Sequence, residues 1–313
     1  MDTFLRKLKR STALLWLLSL DKKVHLDIWA WLRLLRPTNS LPAAGLVLIG
    51  AHLANGWPWP WATWLAAGAM WAVTSFGYVT NDLHDIEADR VNKPDRPLPS
   101  GRVKRSSAHL VAAVLAGLAV GLASMIDKLA VLAAILVLFL LVLYNLRLKS
   151  TVLVGNMLIA ILSGMALGVG GYTVSRPWVL VWPGILVSFF ILAREVLKTI
   201  EDVAGDRRVG VRTVATEWGI QQAGRIFAGI VTCFVVLSLA PLYKGIMARQ
   251  WLGFSVLYLT IVLIIDVGLA YSALMVGRSP TPANVRIGLR ISKIGYVLGL
   301  VALLVAWRWD SVR

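Results

Sequence analysis

The sequence is short of nearly everything from which a soluble metalloenzyme or a nucleic-acid binder is built. It has one cysteine, Cys233, so neither a disulfide nor a cysteine metal site can form within the chain. Its four histidines, His25, His52, His84 and His109, are scattered and show no zinc-ligand spacing. Acidic residues number 16 against 32 lysines and arginines, a net charge of +16, and no polar stretch is long enough to make a soluble domain. The basic surplus does not point to nucleic acid, because the charges flank apolar runs and form no basic domain able to grip a duplex.

What is abundant is apolar surface. Hydrophobic residues make up 58% of the 313, against roughly 45–50% in a soluble domain. This composition predicts an all-α, multi-pass integral membrane protein. Nine runs, near residues 40–56, 60–80, 107–125, 129–146, 152–173, 178–199, 220–241, 251–275 and 286–307, approach the roughly 20 residues needed to cross hydrocarbon. With the N-terminus inside, the loops after even-numbered spans carry most of the cations, among them Arg90, Lys93, Arg96, Arg102, Arg147, Lys149, Arg207 and Arg278. The opposite loops carry chiefly Lys128, Arg176, Lys244 and Arg249. The positive-inside rule then puts the polar loops in the cytoplasm, and the plasma membrane is the expected location, with anionic membrane lipids and phosphorylated substrates as partners. Residues 1–30, with the basic run Arg6, Lys7, Lys9 and Arg10 and a short apolar stretch, read as an interfacial segment lying on the membrane. Residues 31–313 read as the nine-helix domain.

The scarce acidic residues are concentrated. Asn81, Asp85 and Asp89 stand four residues apart at the end of the second span, and Asp202 and Asp206 repeat the spacing at the end of the sixth. Steps of four on a helix turn by roughly 40° each, so each set shares one face, while Asp82 and Glu87 point elsewhere. Hard oxygen ligands of this kind suit Mg²⁺, usually held by one or two carboxylates together with a substrate phosphate. Pro94, Pro97 and Pro99 stiffen the loop that carries Lys93, Arg96 and Arg102, cations suited to phosphate oxygens. Glu195, Lys198, Asp202 and Asp206 form one stripe beginning inside an apolar span, a costly arrangement that marks a functional site unless it is an ion-paired structural stripe. The segment from Tyr144 to Asn156 places Arg147 and Lys149 at the inner end of the fourth span, and Arg36, Pro37 and Asn39 stand at the same depth before the first.

The segment LLRPTNSL from Leu34, the NxxxDxxxD pattern at Asn81, Asp85 and Asp89, and the DxxxD pattern at Asp202 and Asp206 together resemble the UbiA-superfamily intramembrane prenyltransferases. The loop NKPDRPLPSG from Asn92 and the segment REVLKTIEDVAGDRRVGVRT from Arg194 are most similar to the digeranylgeranylglyceryl phosphate synthase branch, although Thr199 stands where that branch often has Asp. The resemblance implies a nine-helix bundle with both motifs at its cytoplasmic end. It implies Mg²⁺-dependent transfer of a polyprenyl group, of geranylgeranyl type, from its diphosphate to the hydroxyl of a lipid phosphate acceptor. Asn81, Asp85, Asp89, Asp202 and Asp206 are then the metal ligands, Asp85, Asp202, Lys149 and Lys198 the catalytic set, and Arg96, Arg102, Lys149, Tyr144 and Asn39 the diphosphate contacts. Two rivals stay open: prenylation of an aromatic quinone precursor, and cation transport. Against transport, the clusters lie at one membrane face, and the far side has only Asp266 mid-span.

Overall fold

The computed structural model describes residues 27–247 and 256–305, so the expectation for the N-terminal segment falls almost wholly outside the described residues. The chain there is helical: α1 (Ile28–Leu35), α2 (Pro37–Asn55), α3 (Trp61–His84), α4 (Ile86–Asn92), α5 (Arg105–Ser124), α6 (Lys128–Leu146), α7 (Val154–Thr173), α8 (Val181–Glu201), α9 (Val203–Arg208), α10 (Val214–Glu217), α11 (Ile220–Met247), α12 (Val256–Arg278) and α13 (Pro282–Val305), with short 3₁₀ turns at Leu148–Ser150 and Pro177–Leu180. Among the described residues seven helices are long and apolar enough to cross a membrane, which makes this a multi-pass membrane protein. Two further long helices, α2 and α3, occupy the first two expected runs. Each is diluted at its polar end, by Thr38, Asn39 and Ser40 in α2 and by Asn81, Asp82 and His84 in α3.

Packing divides the bundle in two. One core joins α1, α3, α5 and α6 through residues such as Leu34, Phe76, Leu115 and Leu138. The other joins α8, α11, α12 and α13 around Leu197, Phe227, Leu269 and Val285. Helices α2 and α7 lie between them at very short range: a Cβ added at Gly50 would fall 2.1 Å from the Leu167 carbonyl oxygen, and one at Gly170 would fall 1.9 Å from that of Val47. Where lipid removes the hydrophobic drive between helices, such glycines let backbones approach and gain dispersion contact. The outer faces are apolar, as in α6, whose Leu132, Leu136 and Phe139 are exposed.

Helix α1 starts on Asp27, whose side chain accepts a hydrogen bond from the Ala30 amide at 2.9 Å, a cap for otherwise unpaired N–H groups. It ends at Arg36, whose left-handed backbone (φ 50°) turns the chain into Pro37, the first residue of α2. This turn aims the Arg36 side chain into the bundle. Asp266, the expected mid-span charge, is buried and accepts a hydrogen bond from Ser238 of α11 at 2.7 Å.

Candidate active site

Both acidic segments are built the same way. Helix α3 ends at His84 and α4 begins at Ile86, with Asp85 between them at φ −90°, ψ 6°. Helix α8 ends at Glu201 and α9 begins at Val203, with Asp202 between them at φ −92°, ψ 2°. Each aspartate therefore sits in the sparsely populated bridge region, at a break between a long helix and a short one. Hydrogen bonds four residues apart still run through the breaks, Asp85 N to Asn81 O at 2.9 Å, Asp89 N to Asp85 O at 2.7 Å and Asp206 N to Asp202 O at 3.1 Å. The four-residue spacing thus keeps its face through each bend.

The two breaks are fastened to each other by Asn92, the last residue of α4. Its amide donates to the Asp202 carbonyl at 2.8 Å and accepts from the Gly205 N–H at 2.9 Å. Gly205 is required by this approach: a Cβ there would lie 2.3 Å from Asn92 Nδ2 and 2.6 Å from the Ala88 carbonyl. Lys93 Nζ then reaches Asp202 Oδ1 at 2.5 Å and Glu201 at 3.8 Å.

Cations stand at most of the carboxylates. Asp85 accepts from Asn81 Nδ2 at 2.8 Å and from the Lys149 ammonium. Asp89, 4% exposed, is bonded by Arg96. Burial raises the Asp89 carboxyl above the usual carboxylate range, and nearby Asp82 and Asp85 add to this against the pull of Arg96. Asp206 has no ion pair among the described residues. Burial pushes its carboxyl up to about 6, Lys149 opposes this, and Asp202 and Asp85 reinforce it. Five carboxylates, Asp82, Asp85, Asp89, Asp202 and Asp206, thus face four cations, Arg36, Lys93, Arg96 and Lys149. With cations between them, no three His, Cys, Asp or Glu side chains among the described residues are gathered into a ready ion cage.

The UbiA prenyltransferase family matches residues 43–294 of this sequence. The chain belongs to that family. The digeranylgeranylglyceryl phosphate synthase of Methanopyrus kandleri is 33% identical over 281 residues, covering 88% of this chain and 98% of that protein. A solved structure of a digeranylgeranylglyceryl phosphate synthase is 28% identical with a TM-score of 0.68, covering 89% of this chain and 98% of the other. A UbiA homolog from Archaeoglobus fulgidus bound to GPP and Mg²⁺ shares the fold at 16% identity and a TM-score of 0.58, over 88% of this chain and 99% of that one.

In this UbiA prenyltransferase the expected residues divide into two groups. Asn81, Asp85, Asp89, Asp202, Asp206, Lys149 and Arg96 come together at the two breaks. Tyr144, on α6, lies within electrostatic reach of Asp85 and Asp206. Asn39 is half-buried in the first turn of α2, three residues from Arg36. Lys198 is turned away from the Asp pair to Glu195, one turn back, with Arg194 3.6 Å from the same carboxylate. Arg102 is exposed and braces its own loop, bonding the Asp95 carbonyl and Ser100 Oγ and standing 3.9 Å from Asp27.

Asp82 lies off the face of Asp85, as its spacing predicts, and has partners of its own: it is 2% exposed, bonded by Arg36, and 3.3 Å from Arg96. Arg36 also stacks 5.0 Å above the Tyr78 ring. This counter-ion and the Asn92 clamp were missed because their partners are 46 and 110 residues away in sequence. The only available signal was the Arg36, Pro37 and Asn39 group at matching depth.

Proposed function

We propose that this enzyme is a nine-span, Mg²⁺-dependent prenyltransferase of the plasma membrane, with its site facing the cytoplasm, which transfers a geranylgeranyl-type group from its diphosphate to the hydroxyl of a lipid glycerophosphate. The observation that carries this reading is the pairing of two matched aspartate breaks, locked at one end of an apolar bundle by Asn92. The acceptor class is supported by the digeranylgeranylglyceryl phosphate synthases it resembles over nearly their whole length.

The donor set is all hard oxygen, from Asn81, Asp85, Asp89, Asp202 and Asp206, and such a set fits Mg²⁺ with substrate phosphate better than Zn²⁺. When bound, Mg²⁺ supplies charge neutralisation for the departing diphosphate. The chain's own cations do the rest. Lys149, Lys93 and Arg96 stand at the carboxylates, within reach of diphosphate oxygens once the substrate is bound, where they oppose the charge that grows as the C–O bond breaks. Tyr144, within electrostatic reach of Asp85 and Asp206, is in position to line the site. The Lys198–Glu195 pair sets the local field from α8. The acceptor hydroxyl attacks C1 of the allylic cation, its proton leaves with the diphosphate, and the apolar bundle excludes the water that would otherwise quench the cation.

The test is purified enzyme with labelled geranylgeranyl diphosphate, offered geranylgeranylglyceryl phosphate and an aromatic acid in parallel, with products resolved by mass. The lipid phosphate should be prenylated, EDTA should stop the reaction and Mg²⁺ should restore it. Transfer to the aromatic acid alone would overturn the acceptor, and full turnover after exhaustive chelation would overturn the metal.

A further inference from the structure

Asp266 stands midway along α12, roughly 18 Å up the helix from its inner end at Arg278. It is 5% exposed and has no cation beside it among the described residues. One carboxyl oxygen, Oδ2, accepts from Ser238 of α11 at 2.7 Å. The other, Oδ1, is buried and has no hydrogen-bond partner among the described residues. A carboxyl group at membrane depth is costly unless its polar atoms are matched. The Ser238 bond is enough to clip α11 to α12, and it leaves half of the carboxyl group unused.

A cavity of about 90 Å³ opens beside this group, between α2, α8, α11, α12 and α13. Asp266 and Ser238 are on its wall, and Phe190, Phe234, Tyr258 and Tyr296 give it aromatic rings. Phe190 packs edge-on to Phe234 with centroids 5.7 Å apart and lies 6.2 Å from Tyr296. The room equals that of about three waters, enough for the end of one chain and too little for a two-chain glycerolipid headgroup. The pocket is also set apart from the diphosphate end of the site, because Phe190 lies more than three turns before Asp202, roughly 18 Å along α8.

The chemistry of the wall selects the ligand. One carboxyl group and one serine are too few oxygen ligands for a bare cation. A pure hydrocarbon would leave Oδ1 unmatched. A hydroxyl both donates and accepts, so it pairs with the free oxygen whether or not the carboxyl group carries a proton. We infer that this pocket is a second, non-catalytic site that binds the hydroxyl end of a single-chain isoprenoid alcohol through Asp266. The aromatic rings suit the branched, unsaturated carbons next to such a hydroxyl, and the rest of the chain continues into apolar surroundings. The assignment does not depend on which acceptor the enzyme prenylates.

The probe is geranylgeraniol, added to the full-length protein in detergent without donor or acceptor. At saturation it should raise the unfolding midpoint by about 3–6 °C, while phytane, a branched hydrocarbon with no hydroxyl, and dioleoylglycerol should leave it unchanged. Asp266→Leu should lose the shift, and Asp266→Asn, whose amide can still meet a hydroxyl, should keep part of it. Gly299→Leu keeps the carboxyl group and fills the space instead: Gly299 lines the pocket, and a Cβ added there meets nothing within 4 Å. This variant should fold normally and should also lose the shift. With saturating geranylgeranyl diphosphate and Mg²⁺ present, the alcohol should add the same further shift to the wild type. No shift in the wild type, an undiminished shift in either leucine variant, or an equal shift from phytane or dioleoylglycerol would overturn the site. Loss of the alcohol shift under saturating diphosphate would also overturn it, by showing that the pocket is part of the donor site.

Discussion

The two helix breaks have almost the same backbone and very different surroundings. Counting from each central aspartate, Asn81 corresponds to Lys198, Asp82 to Thr199, Ala88 to Gly205 and Asp89 to Asp206. In the first break the position three residues before the aspartate holds a buried carboxylate that gathers Arg36 and Arg96. In the second it holds Thr199, whose hydroxyl is satisfied by the Val196 carbonyl at 2.7 Å. The first break is thus anchored to a distant arginine and to a loop, while the second is anchored through the first, by Asn92 and Lys93. The two breaks share a backbone geometry, and only the first holds a buried carboxylate three residues before its central aspartate.

The shared part of the comparison carries the largest expected effect. Asp85→Ala and Asp202→Ala each remove the aspartate at a break, and under the proposed mechanism each loses several kcal/mol of transition-state charge stabilisation, about a thousandfold or more in kcat. Folding should survive in both, as judged by a monodisperse elution profile. If one of the pair retained near-normal turnover, the two breaks would not be functional equivalents.

The unshared part comes next. Asp82→Asn leaves the Arg36 guanidinium beside a neutral amide in a largely buried setting, while Arg96 keeps Asp89, at a cost of about 3 kcal/mol. Thr199→Ala, its counterpart, removes one hydroxyl bonded to its own helix and costs about 1 kcal/mol or less. Thermal unfolding in detergent should separate them clearly, with Asp82→Asn well below wild type. Equal midpoints would mean that the first break needs no internal counter-ion.

Much of this was legible in the sequence, and the limit has a physical cause. The four-residue spacing keeps each set on one face because hydrogen bonding continues through both breaks, which is a local property. Lys149 and Arg96 stand at the carboxylates because cations at one membrane depth with them have few other places to go. The bends at Asp85 and Asp202 were invisible, since no proline or glycine marks them. The partners of Asp82 stay hidden because helical geometry tells which way a side chain faces but not what waits there, and Arg36 is delivered by a left-handed turn that sequence periodicity does not show. The stripe on α8 left open whether it is ion-paired, and Lys198 does bond back to Glu195, with no ion pair to Asp206 among the described residues.

A smaller effect tests how the copies are joined. Gly205→Ala places a methyl group against Asn92 Nδ2 and the Ala88 carbonyl, and forcing α9 off α4 should cost about 1–3 kcal/mol. Ala88→Gly, at the matching position of the first break, creates no clash and costs about 1–2 kcal/mol through helix preference and the loss of one buried methyl. The Gly205 variant should also lose turnover beyond its loss of stability, because the Asn92 clamp sets the distance between the aspartates. An Asn92→Ala variant that matched it in both readouts would locate the effect in the clamp itself.

The smallest effect belongs to the loops that follow the breaks. The first loop is long and carries Pro94, Pro97 and Pro99 along with four cations between Lys93 and Lys104; the second, from Val209 to Thr213, is short. Cation count alone suggests that Arg102 joins Arg96 in holding phosphate. The structure separates them: Arg96 reaches inward to Asp89, whereas Arg102 bonds the Asp95 carbonyl and Ser100 within its own exposed loop. Exposed contacts of this sort are worth about 0–1 kcal/mol. Arg102→Gln should therefore leave both KM values within about twofold of wild type and shift the unfolding midpoint only slightly. Arg96→Gln should behave quite differently, weakening donor binding and exposing the Asp82 and Asp89 carboxylates to each other's repulsion. A tenfold rise in either KM for Arg102→Gln would show that the loop closes over the site during turnover and carries Arg102 inward with it.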